Sequence, residues 1–145
     1  MHPTNPHFDY FETIATGRVK YRKARSYYWD DISKYCGYFI HEGASVLEVG
    51  CGTGELLGSI KAKRKVGIDF SPAMIAEAQK QFQDIEFQVM AADDIKLDEK
   101  FDVIILSNLV GMLEDVQEVF RHLARVCHPG THLIITYYNY LWEPL

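Results

Sequence analysis

The chain has 145 residues, 48% hydrophobic and 24% charged, with a formal net charge of −5, which describes one globular domain with room for a core. The acidic balance argues against nonspecific nucleic-acid binding, no apolar run approaches the ~20 residues of a membrane span, and Met1-His2-Pro3-Thr4-Asn5 lacks the basic and apolar blocks of a signal peptide. Cys36, Cys51 and Cys127 are odd in number, far apart and form no CxxC pair, so neither a metal centre nor a disulfide framework is expected, and a reducing, cytoplasmic setting is.

Residues 1 to about 16 are polar and aromatic with two prolines, and are expected to form a loosely packed arm. From about 18 to 40, Tyr21, Tyr28, Ile32, Tyr35 and Phe39 fall on one stripe and predict a helix, with Gly37 as its weak point. A turn at His41-Glu42-Gly43-Ala44 precedes a strand over 45–49. A helix over about 54–62 and a strand over 65–69 follow. Ser71-Pro72 opens the next helix, as N-cap and first helical residue, with Met74, Ile75, Ala78 and Phe82 facing inward. Strands are expected over 86–90 and 101–106, the second a near-continuous apolar run of the kind a doubly covered parallel sheet requires. Val116, Val119, Phe120, Leu123 and Val126 mark another amphipathic helix, ended by Pro129-Gly130 before a last strand over 133–137. Alternating strands and helices define an α/β fold with a doubly wound, mostly parallel, Rossmann-like sheet of about five strands. Residues 1–42 would be an arm and helical cap, and 43–145 the α/β unit.

The segment Val46-Leu47-Glu48-Val49-Gly50-Cys51-Gly52-Thr53-Gly54 carries the most chemistry. It reads as a buried strand with an acid near its end, running into a glycine-rich turn and an apolar helix start. Glycines let the backbone approach a ligand closely, and a following helix would aim its free N–H groups at the turn. Asp69 ends the next strand, where an acid can accept both hydroxyls of a ribose. A dinucleotide fingerprint wants a third glycine where Glu55 stands, and a pyrophosphate would be repelled by Glu48. A nucleoside with a cationic amino group would not be.

Glu48-Val49-Gly50-Cys51-Gly52-Thr53-Gly54 therefore resembles the first motif of class I S-adenosylmethionine (SAM)-dependent methyltransferases. Gly67-Ile68-Asp69-Phe70-Ser71-Pro72-Ala73-Met74 is similar to their second block, and Phe101-Asp102-Val103-Ile104 to their fourth strand. Leu123-Ala124-Arg125-Val126-Cys127-His128-Pro129-Gly130 is similar to the stretch before their fifth strand. The likeness covers about 45–139 and is nearest the small-molecule, methyltransferase type 11-like branch. It implies SAM as cofactor, with Gly50, Cys51, Gly52 and Gly54 against the methionine and ribose, and Glu48 toward the ammonium. It also implies Asp69 on the ribose and Phe70 on the adenine face. After the third strand the family has Gly-Asp-Ala and this chain has Met90-Ala91-Ala92, so Ala92 and either Asp93 or Asp94 would read the adenine. Ser107 and Asn108 would line the methionine end, or simply close the fourth strand. Glu48 could equally be a strand-end cap, and Asp93 and Asp94 a solvated turn.

The resemblance implies an enzyme that methylates a small-molecule or lipid-precursor acceptor, with no general base evident and His128 and His132 read as structural. A non-catalytic SAM-binding module and an NAD-dependent oxidoreductase domain remain alternatives. The basic run Arg18, Lys20, Arg22, Lys23 and Arg25 reads as a solvated helix face, or as a greeting for an anionic acceptor. Tyr27, Tyr28 and Trp29 are either core or lid. The family sheet has two further strands, whereas here Ile134-Ile135-Thr136-Tyr137-Tyr138 would be a bare apolar edge. A longer parent protein or a homodimer through that edge is the expected remedy.

Overall fold

A computed structural model describes residues 8–24 and 26–137, with the side chains of 18–24 left aside. The basic run over 18–25 and the tail from Tyr138 therefore lie outside the described residues.

Five strands form one parallel sheet: β1 (Ser45–Val49), β2 (Arg64–Asp69), β3 (Glu86–Val89), β4 (Phe101–Ser107) and β5 (Cys127–Thr136), in the order β3-β2-β1-β4-β5. All four pairings are parallel, with Leu47 opposite both Val66 and Ile104. The helices are α1 (Phe8–Ala24), α2 (Ser26–Phe39), α3 (Glu55–Ser59), α4 (Pro72–Gln81) and α5 (Val116–Arg125), with a 3₁₀ turn at Val110–Met112. This is the expected doubly wound, Rossmann-like arrangement.

Side-chain alternation divides the core between the two faces of the sheet. Val46, Val103 and Ile105 join Ile32, Cys36, Leu56, Leu57, Ile75 and Ala78 from α2, α3 and α4. Leu47, Val49, Ile104 and Leu106 join Val119, Leu123 and Val126 beneath α5. Each fully buried aliphatic side chain contributes about 1.5–3 kcal/mol. The cap at Ser71 is as read from sequence: its side chain accepts from the Met74 N–H, with Pro72 in the first turn.

Five expectations need correction. The arm is helical from Phe8 onward, because Phe8 and Phe11 find apolar partners and Ala15 is buried. The helix expected over 18–40 is two, α1 and α2, and Gly37 does not interrupt α2. The first crossover helix is only five residues long. Pro129-Gly130 lies within β5, which begins at Cys127. An edge strand tolerates a proline because an N–H facing solvent is not needed by the ladder. The register jumps there, from Phe101 opposite Cys127 to Val103 opposite His132. On α5 only part of the predicted stripe is inside: Val119 and Leu123 are buried, and Val116 and Phe120 are exposed.

Candidate cofactor site

The sheet order reverses at β1, with β2 on one side and β4 on the other, and a crevice opens beyond the carboxyl ends at such a point. Gly50, Gly52 and Gly54 turn the chain there with φ of 72°, 54° and 82°. The left-handed region is costly for other residues. At Gly54 a Cβ would also stand 2.6 Å from the buried Phe87 ring, and at Gly50 2.8 Å from Leu109.

The loop spends four of its five N–H groups internally. Gly50 and Cys51 donate to the Ile68 carbonyl, Gly54 donates to that of Cys51, and Gly52 donates to the Asp69 carboxylate at 2.9 Å. A phosphate cradle needs such groups turned outward. The five-residue α3 adds little dipole, so the expected helix-terminus contribution gives way to the loop itself.

Asp69 is 7% exposed. Its second oxygen accepts from the Ser71 N–H at 2.9 Å, so loops after β1 and β2 together set the plane of the carboxylate. It borders a cavity of about 680 Å³ shared with Gly50, Phe70, Ala92, Asp93 and Leu109. Asp94, Glu114 and Asp115 also line it, and Lys96, the one cation among the described lining residues, pairs with Asp94 at 2.7 Å. Among the described residues the lining is therefore mainly acidic, which favours a cationic group over an anionic one there. Phe8 and Phe11 of α1 complete the wall, each with its ring centroid 5.8 Å from that of Phe70. The sequence reading missed them, although Phe8, Phe11 and Ala15 stand at helical spacing.

Of the residues singled out from sequence, Gly50, Asp69, Phe70, Ala92 and Asp93 meet at this cavity, and Cys51, Gly52 and Gly54 form the turn beside it. Glu48, Ser107 and Asn108 do not border it. Glu48 is 3% exposed, within the middle strand. Burial first, then the Glu48 charge, pushes the Cys36 thiol up to about 11 and the Cys51 thiol up as well. Ser107 and Asn108 end β4, tied to β5 through Thr136: the Ser107 and Thr136 hydroxyls are 3.1 Å apart, and the Asn108 N–H donates to the Thr136 carbonyl at 3.0 Å. Asn108 has φ 52°, and its side-chain amide meets the Tyr28 hydroxyl at 3.0 Å. Tyr28 of α2 thus reaches the carboxyl rim.

At the opposite, amino end, His128 Nδ1 accepts from the Gly130 N–H, which leaves Nε2 to donate to Asp102 at 3.0 Å. Asp102 also accepts from the N–H and hydroxyl of Ser45, which hold its carboxyl below the usual range. Serine and histidine each bond the aspartate rather than one another, so the trio clamps strands. His128 thus links β5 to β4 at the amino end of the sheet.

A doubly wound sheet with a buried acid at the tip of β2 and a close glycine turn after β1 sets a cavity at the point where the strand order reverses. Residues 21–143 match a methyltransferase-domain family, and the chain belongs to that family of SAM-dependent enzymes. It is 35% identical over 101 residues to the phosphatidylethanolamine N-methyltransferase of Cereibacter sphaeroides, covering 64% of this chain and 50% of that protein. Its fold is similar to that of a protein in complex with the Haloferax volcanii Trm112 methyltransferase activator, with TM-score 0.75, 24% identity and 86% and 58% of the two chains covered. It is also similar to DhpI, whose structure is a complex with SAH, with TM-score 0.70, 21% identity and 89% and 66% covered. The chain spans half or less of the length of the first curated relatives it matches.

Proposed function

We propose that this chain binds SAM in the cavity beyond β1 and β2 and that the protein it represents transfers the methyl group to a small-molecule or lipid-precursor acceptor. The observation that carries the reading is Asp69: a buried acid at the tip of β2, fixed by Gly52 and Ser71 N–H groups and facing a cavity whose other charges, among the described residues, are mainly acidic. The cavity volume suits a drug-sized ligand, and the cofactor is cationic at its sulfonium.

Bound SAM supplies an activated methyl group for in-line displacement by an acceptor nucleophile. The chain's residues bind and orient. Asp69 accepts from the ribose hydroxyls, a bond to a charged group worth roughly 1.5–3 kcal/mol. Phe70 lies against the adenine face, with Ala92 and Asp93 at the adenine edge. Gly50, Cys51, Gly52 and Gly54 keep the backbone close to the methionine and ribose. In this reading the methionine portion extends past Gly50, beyond the cavity described above, toward Glu48 beneath the loop and toward Ser107 and Asn108 after β4. No metal is invoked. Holding donor and acceptor in line is the protein's main contribution.

Asp69→Ala should lose SAM affinity by about tenfold or more in a calorimetric titration. Unchanged affinity would refute the site. An NAD-dependent reading is disfavoured by the mostly internal N–H bonding of the loop and by the mainly acidic lining among the described residues. A non-catalytic SAM-binding module differs only in failing to transfer label from SAM to a metabolite extract. No helix among the described residues is long and apolar enough to cross a membrane. The three free cysteines support a reducing compartment, and the apolar edge of β5 supports a homodimer.

A further inference from the structure

The first helix does more than lie beside the sheet. The Glu12 carboxylate of α1 accepts from the Ser71 hydroxyl, and from the Ala73 N–H at 3.1 Å. Ser71 and Ala73 begin α4, whose N-terminal N–H groups need acceptors. Ser71 serves Met74. A capping box would place an acid at the third helical residue, but here that residue is Met74. The Ser71 N–H that such an acid would accept already bonds Asp69, and Glu12, about 60 residues away, takes the Ala73 N–H of the first turn instead. The bond lies at a fully buried hydroxyl, on the same loop that carries Asp69 and Phe70. Phe8, one turn earlier on α1, and Phe11, the residue before Glu12, form part of the cavity wall against Phe70.

We propose that α1 is a latched wall of the cofactor cavity, that Phe8 and Phe11 meet the adenosine end of the ligand, and that Glu12 is the positioning residue whose grip on Ser71 and Ala73 holds the wall shut. The inference rests on the reading that this cavity takes SAM. Ligand exchange then requires α1 to leave the α4 N-terminus, and the latch sets the rate of exit. Because Glu12 grips the loop between Asp69 and α4, it also steadies the ribose acid through the Ser71 N–H.

The test uses the whole 145-residue chain, with SAM and SAH as probes. Glu12→Ala should raise the dissociation rate of both by about tenfold, the loss expected for a charge-assisted hydrogen bond. Glu12→Gln keeps an oxygen that accepts from Ser71 and Ala73, and should stay within about threefold of the parent. Hydrogen exchange without ligand gives a second, independent arm. Glu12→Ala should speed exchange over residues 8–17 and leave 45–49 unchanged. Unaltered exchange at residues 8–17 would overturn the latch whatever the ligand. Faster exchange with unaltered dissociation rates would overturn its role in holding the cofactor. Should the parent bind neither probe, the SAM reading falls and the proposed adenosine contacts fall with it, while the exchange arm still judges the latch.

Discussion

Asp102 shows how much one carboxylate can be set by its neighbours. The Ser45 N–H, the Ser45 hydroxyl and then His128 favour its ionised form, so its carboxyl lies below its ordinary 3.8. A lowered folded value means the stabilisation is complete above the unfolded value and disappears as pH falls through the folded one. The urea midpoint of the parent should therefore exceed that of Asp102→Asn at about pH 6, and the gap should close toward about pH 3. A gap that stayed constant would show that the clamp does not depend on ionisation. The side chain is 41% exposed, so solvent screening keeps the effect modest.

At the scale of elements, α5 is asymmetric. Val119 and Leu123 are buried against Leu47, Ile104 and Leu106, whereas Phe120 stands outward. Leu123→Ala should cost about 2–4 kcal/mol in chemical denaturation, and Phe120→Ala under about 1 kcal/mol. Equal losses would mean that Phe120 is covered. The sequence showed the whole stripe as one apolar face, since periodicity records which residues share a side and not what covers them. Strands were easier to read: β4 is apolar almost throughout because both its faces are covered, and Ser71-Pro72 marked a helix start by its own chemistry. Helix α1 was obscured because its stabilising partners, Phe70 and the α4 N-terminus, are about 60 residues away. Pro129-Gly130 misled because a local breaker signal carries no information on whether a strand lies at an edge. The same division holds for the cofactor site. The glycine turn and Asp69 declare themselves through local geometry, while Phe8, Phe11 and Glu12 join only through tertiary packing.

Over the whole molecule the two sheet margins differ. Strand β3 has four residues, with Glu86 and Gln88 along it, a short polar edge of the kind that resists pairing. Strand β5 has ten, and Leu133 and Ile135 are exposed along it, as are Val116 and Phe120 on α5. If that margin is where two copies meet, sedimentation should show concentration-dependent dimers that Ile135→Lys abolishes without lowering the melting temperature. Dimers persisting in Ile135→Lys would place the contact elsewhere.

The middle position of β1 has a kinetic consequence. Its partner β2 follows after a short helix, but its other partner, β4, lies more than 50 residues along the chain, and Ser45 bonds Asp102 across that gap. During synthesis β1, β2 and β3 can associate before β4 exists, leaving the flank of Val46, Leu47 and Glu48 open. Such distant pairings slow the search for the native state. A nascent chain would be most vulnerable to chaperone capture or aggregation in the interval before Ser107 emerges from the ribosome.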